Sequence, residues 1–376
     1  MARIAVLGAG MVGSAIAKTL STKHEILLLD INAERLKTIG SNKIKTLICD
    51  LVNAEQLTNA IASADLVLGA VPGHLGYDVL KTVISAGKNI VDISFFPEDA
   101  SSLNALAKKN KVIAIHDCGV APGMDNIILG YHDRTMKVTS FKCMVGGLPV
   151  KKNPPFDYKA PFSPIDVLEE YTRPARLKIK GKIITKPALT DIETIKVAKL
   201  GNLEAFNSDG LRSLLKTMKH IPNMVEKTIR YPGHAKQMEW IREMGLLSKK
   251  NIEIRGHSFR PLDITSKLLF SQWAYKPGEE DFTYMIVIVE GIEAGKKIKY
   301  TYTLYDQYNK KTKMSSMART TGMTACAATE LVLSGNFNKY GVHPPERLGA
   351  SAHWVMHIFQ YLKNHGITYN MKRKEI

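Results

Sequence analysis

RIAVLGAGMVGSAIAKTL (residues 3–20) joins an apolar run, Ile4–Leu7, to a helical pattern, Met11–Leu20, through Gly8, Gly10 and Gly13. Gly8 permits a tight turn, Gly10 lets a ligand approach the backbone, and Gly13 lets helix and strand pack closely. The helix then begins with free N–H groups and the positive end of its dipole, a seat for a pyrophosphate bordered by Met11 and Val12. Such a glycine pattern is weak by itself. Here it has a strand before it, a helix after it and further strands beyond.

Those further runs are Ile26–Leu29, Ile44–Ile48, Leu66–Ala70, Ile90–Ile93 and Val112–Ile115. Each is short and almost continuously apolar, as in strands covered on both faces. Helical segments lie between them: Ala33–Thr38, Ala54–Ala62, Leu75–Ala86 and Ala100–Lys109. The alternation predicts a parallel, doubly wound sheet of Rossmann type. Asp30 ends the second run, where an acid takes the ribose hydroxyls and repels a 2′-phosphate, so NAD is expected over NADP. Arg35 reads as a surface residue. Asp50 and Leu51 follow the third run, and Asp50 either approaches the adenine or caps a turn. Val71, Pro72 and His74 follow the fourth and should border the cofactor, because ligands bind at the carboxyl ends of such strands.

Beyond residue 120 the rhythm changes. Phe141–Gly147, Leu177–Ile184 and Ile192–Val197 are strand-like, and Tyr284–Gly291 with Lys297–Tyr305 reads as a hairpin. Lys151–Arg176 reads as a surface excursion. Leu211–Thr217, Ala235–Met244, Thr320–Leu333 and Ala350–Lys363 read as helices.

The net charge of +17 comes from scattered lysines, without a long basic run or a nucleic-acid-binding motif, so no nucleic-acid partner is expected. Cys49, Cys118, Cys143 and Cys326 form no CxxC pair, so no metal site is expected and the thiols read as free. No signal peptide or membrane-spanning run is apparent, which predicts a cytoplasmic protein.

VDISFFPED (91–99), DCGVAPGMDN (117–126), LEAFNSDGLRSLL (203–215), VEKTIRYPGHAKQM (225–238) and SMARTTGMTA (316–325) extend the pattern over nearly the whole chain. With these motifs the sequence resembles the saccharopine dehydrogenase-like superfamily and, within it, the lysine 6-dehydrogenases. The resemblance implies an NAD-binding Rossmann domain at 1–121 completed by C-terminal helices of 318–376. It also implies a second, substrate-binding and dimerisation α/β domain at 122–317 with an open mixed sheet, and a homodimer. The implied reaction is NAD-dependent oxidative deamination of the lysine ε-amine to the 6-semialdehyde, with ammonia released. A saccharopine dehydrogenase and a carboxynorspermidine-type enzyme are the enzyme alternatives. A non-catalytic NAD sensor is the alternative of another class.

That chemistry requires a proton acceptor and groups that hold an amino acid. His234 leads for proton transfer because histidine titrates near neutral pH. Asp117, Glu98 and Glu204 are carboxylates that a desolvated pocket could tune upward. Arg212 and Arg319 suit the α-carboxylate through paired hydrogen bonds. Asp209 could take the ammonium or cap a helix, and Asn207 could bind the amino-acid end or close a turn. Cys118 and Phe96, with Phe95, could line the pocket.

Overall fold

The computed structural model describes residues 1–198 and 200–376. It divides into two compact units, Met1–Thr135 with Ala318–Thr368, and Met136–Met317 with Tyr369–Ile376.

In the first unit, strands β1 (Arg3–Leu7), β2 (Glu25–Asp30), β3 (Ile44–Ile48), β4 (Leu66–Gly69), β5 (Ile90–Asp92) and β6 (Ile113–Ile115) pair in parallel. A seventh strand, Gly341–His343, joins the outer side of β6. The spatial order is Gly341–His343, β6, β5, β4, β1, β2, β3, so the chain reverses direction across the sheet between β1 and β4. That switch point is where doubly wound folds bind ligands. Fully buried Val6, Leu29, Leu68 and Val91 show why these runs carry almost no polar residue. β3 differs from the expectation of strands covered on both faces. It forms the sheet edge, and Leu47 and Ile48 are exposed.

The second unit holds a nine-stranded mixed sheet. Its main path runs Glu193–Val197, Gly201–Asn207, Asn223–Arg230, Lys137–Pro149, Asp281–Glu293, Lys296–Gln307 and Tyr369–Glu375, with Ala175–Ile179 and Lys182–Lys186 branching off it. Asn223–Arg230 and Lys137–Pro149 pair in parallel, and the remaining pairs are antiparallel. Helices Pro164–Thr172, His234–Glu243 and Pro261–Trp273 supply Leu168, Tyr171, Met238 and Leu269 to a core shared with Met144, Ala205 and Ile229 of the sheet.

The unit boundaries differ from the expected 121/122. Helix Met124–His132 stays with the first unit, because Gly130 packs on the Glu346 backbone so closely that an added Cβ would lie 2.2 Å from its carbonyl oxygen. Tyr369–Glu375 goes to the second unit as an edge strand on Lys296–Gln307. The 151–176 stretch is also more than a surface excursion. Its helix buries Val167, Leu168 and Tyr171, and Tyr158 is fully buried.

Candidate functional site

The glycine loop is built by close contacts. A Cβ on Gly8, whose φ is +99°, would sit 2.4 Å from the Ala70 carbonyl oxygen, and one on Gly13 would sit 1.9 Å from the Gly8 oxygen. Around Gly10 there is open space instead. Helix α1 (Met11–Leu20) carries no side-chain cap and no acid in its first turn. Its orphan N–H groups are therefore left for an anion.

Asp30 stands beside this loop. Its Oδ2 accepts from the Ala9 amide at 2.6 Å and its Oδ1 from the Asn32 amide at 2.8 Å. Two amides thus fix the carboxylate, which keeps lone pairs for hydroxyl donors. Ile31, 70% exposed, and Ile48 offer apolar surface next to it, the β3 end being tied to Asp30 through the Cys49 amide. Asp50 is exposed, and its Oδ1 accepts from the Val52 amide at 3.0 Å, a turn contact. Leu51 is buried below it. Met11 is exposed and Val12 half-buried. Val71 is buried while Pro72 and His74 are exposed at the start of helix Gly73–Ser85. These residues fit a dinucleotide: an open glycine, an uncapped helix start and an anchored acid.

Farther along the same sheet edge, Asp117 follows β6 with φ +53°, buried, its Oδ2 lying 3.2 Å from His116 Nδ1. Cys118 is fully buried. Burial first, and then the Asp117 and Asp92 carboxylates, push its thiol well above the ordinary range. Asp92, at the end of β5, escaped the sequence reading. Its carboxylate packs on Gly69, where a Cβ would sit 2.0 Å from Oδ1, and it accepts from the Ser94 amide and hydroxyl, each at 3.0 Å. The signal was available: an acid closing an apolar run.

Several expected roles are corrected. Glu98 is exposed rather than set in a closed pocket. Phe96 is fully buried in the first unit's core against Tyr77, 6.0 Å between ring centroids. His234, 1% exposed, has both ring nitrogens engaged, Nδ1 with the Phe156 carbonyl and Nε2 with the Tyr171 hydroxyl, each at 2.9 Å. Burial, followed by the nearby Arg230 cation, pushes it down to about 3. It is a neutral structural histidine. The Arg230 Nε donates to Tyr171 at 3.2 Å, and the guanidinium also meets Glu170. Glu204 accepts from the Gly233 amide at 3.0 Å and the Ala235 amide at 2.7 Å, so it caps helix His234–Glu243.

Asp209 is held by Arg176 in a two-pronged pair, both side-chain contacts at 2.8 Å, rather than offered to an ammonium or a cap. Arg212, half-exposed with φ +47°, precedes a helix that begins only at Leu214. In the first unit, Arg319 donates to the His365 carbonyl at 2.8 Å. Asn207 is fully buried and donates to Thr190 at 3.1 Å and to Asp191 at 2.9 Å. All four cysteines are free, and among the described residues no His/Cys/Asp/Glu group could hold a metal ion. No described helix is long and apolar enough to cross a membrane.

Comparison with known proteins matches residues 4–115 to the saccharopine dehydrogenase NADP binding domain and residues 119–367 to the saccharopine dehydrogenase C-terminal domain. The chain belongs to the saccharopine dehydrogenase family. Within this family it is 23% identical to the NADP(+), L-glutamate-forming saccharopine dehydrogenase of Schizosaccharomyces pombe, covering 92% of this chain and 94% of the relative. It is 24% identical to the Arabidopsis thaliana alpha-aminoadipic semialdehyde synthase over 79% of this chain, but that spans only 30% of the synthase. Among solved structures, apo saccharopine dehydrogenase (L-Glu forming) from Saccharomyces cerevisiae superposes with a TM-score of 0.79 at 21% identity, covering 100% of both chains. An NAD complex of homospermidine synthase from Legionella pneumophila gives 0.70 at 12% identity, covering 99% of this chain and 91% of that one. These two likenesses establish the fold.

Proposed function

We propose that this protein oxidises the C–N bond at the side-chain terminus of a lysine-type amino acid, with NAD as hydride acceptor and the 6-semialdehyde as product. Membership in a dehydrogenase family over both units supports the reaction class. The anchored carboxylate of Asp30 carries the choice of NAD, because a 2′-phosphate there would face a fixed negative charge. The S. pombe relative's name specifies NADP(+), so the proposal sets this chain apart from that relative in its cofactor.

Bound NAD supplies the electron sink. The chain's own residues supply the rest. The α1 start and Gly10 receive the pyrophosphate, and Asp30 receives the adenosine ribose. Asp117 is the carboxylate proposed to accept the amine proton, and Arg212 the cation proposed for the α-carboxylate. Two readings share the semialdehyde product. Free L-lysine releases ammonia. Saccharopine releases L-glutamate, a reading favoured by near full-length similarity to the S. pombe enzyme. In either case one water enters, one hydride leaves and one amine departs. Incubation with NAD and each amine separates them: NADH with ammonia from lysine supports the first, and NADH with glutamate from saccharopine the second. NAD binding without turnover of either supports a sensor instead.

A homodimer in the cytoplasm completes the proposal. Light scattering in solution should give twice the 41.7 kDa chain mass.

A further inference from the structure

Arg212 has a left-handed backbone, φ +47°. Few residues other than Gly, Asn, Asp and His adopt it. Lys180, Arg255 and Ala294 share it, but each precedes a glycine in the tight turn of a β-hairpin, where it is expected. Arg212 lies in no hairpin. It stands between Leu211 and Leu214, both buried, in a bend closed by the Leu214 amide donating to the Leu211 carbonyl at 2.9 Å. Such a conformation costs energy and persists only where the surroundings over-determine it, typically at functional sites.

The segment before Arg212 is anchored at successive residues. Ser208 Oγ donates to Glu226 Oε2 at 2.8 Å and pairs with the Thr228 hydroxyl at 2.7 Å, both on strand Asn223–Arg230. Gly210 passes so close to the same strand that an added Cβ would lie 2.5 Å from Glu226 Oε2. Between them, Asp209 is gripped by a single residue of another strand, Ala175–Ile179. The Arg176 backbone amide donates to Asp209 Oδ1 at 3.2 Å, Nε to Oδ1 at 2.8 Å and Nη2 to Oδ2 at 2.8 Å. The two side-chain bonds use the planar fork of arginine, which fixes direction as well as charge. Asp209 is buried and Arg176 exposed, so the grip closes over the segment from outside.

We infer that the Arg176–Asp209 pair is a positioning clamp, which holds Arg212 in its left-handed conformation and so sets the guanidinium for the substrate carboxylate. The inference rests on the reading of Arg212 as the cation for the α-carboxylate. Arg176 and Asp209 act through Arg212 and are positioning residues. Without the clamp the segment relaxes toward ordinary backbone, and Arg212 moves with it. A small misplacement of such a group is enough to weaken recognition of its own partner group.

Calorimetric titration of the full chain with lysine, saccharopine and cadaverine tests it. Cadaverine is lysine without its α-carboxylate. NADH is present throughout, because the reduced cofactor accepts no hydride and binding is read without turnover. For an amino acid that binds the wild type, Arg212→Met should raise Kd roughly tenfold or more. Arg176→Ala and Asp209→Asn should each raise it about three- to tenfold. Arg176→Lys, which keeps the charge and loses the fork, should fall between Arg176→Ala and the wild type. Cadaverine should bind all of these variants as it binds the wild type. Adding Arg176→Ala to Arg212→Met should cause no further loss, because the clamp acts through Arg212. A lowered melting temperature with unchanged Kd in Arg176→Ala, an equal loss for cadaverine, or additive losses in the double variant would each overturn the clamp alone. An unchanged Kd in Arg212→Met, or a wild type that binds neither amino acid, would overturn the reading of Arg212 and the clamp with it.

Discussion

Asp30 and His234 were both singled out by chemistry that their side chains can perform, and their surroundings separate them. Asp30 is held by two amides at the edge of the glycine loop and keeps acceptor capacity. Replacing it with Ala removes hydrogen bonds to a charged acceptor, about 1.5–3 kcal/mol in all. The KM for NAD should rise roughly ten- to a hundredfold, with a smaller change or a gain for NADP. Steady-state kinetics with both cofactors measures it. His234 has spent both nitrogens inside the second unit's core. Its folded value of about 3 lies below the 6.5 of an unexposed-to-structure chain, so the unfolded state takes up the extra proton. Its contribution to stability is complete above 6.5 and is lost as pH falls toward 3. The melting temperature should therefore drop between those limits, and His234→Gln should flatten the drop while lowering the plateau. An identical slope in the variant would assign the acid transition to other groups. The residue type alone could not disclose this, because the Tyr171 and Phe156 partners lie far from it in sequence.

The strand–glycine–helix element was legible because each of its rules is local: an apolar run, a turn and a helix start within eighteen residues of sequence. Its glycines are not equivalent. Gly10→Ala enters open space, so stability should change by about 0.5 kcal/mol or less while NAD binding weakens. Gly13→Ala drives a methyl group into the Gly8 carbonyl and should cost about 1–3 kcal/mol as well as cofactor binding. Denaturant midpoints with NAD titration distinguish the two. Glu204 shows the opposite case, an element contact invisible in sequence. It lies on strand Gly201–Asn207 yet caps a helix that starts at His234. Glu204→Ala should lower stability by about 1–2 kcal/mol and leave kcat unchanged. A large fall in kcat with unchanged stability would restore it as a catalytic candidate.

At the scale of the whole molecule, the parallel sheet was readable because buried strands need no alternation. Its seventh strand, Gly341–His343, was not, being only three residues long and supplied from far along the chain. In the second unit, Arg176–Asp209 and the Arg230 cluster join residues whose pairing depends on sheet topology rather than on spacing. The family likewise fixes the reaction class more firmly than the amine. The most direct measurement of the central claim supplies NAD with lysine, and separately saccharopine, deuterated at the lysine ε-carbon. The account predicts deuterium on the reduced nicotinamide and a trapped 6-semialdehyde from at least one of them. Reduced NAD free of deuterium, or no reduced NAD from either amine, would contradict it.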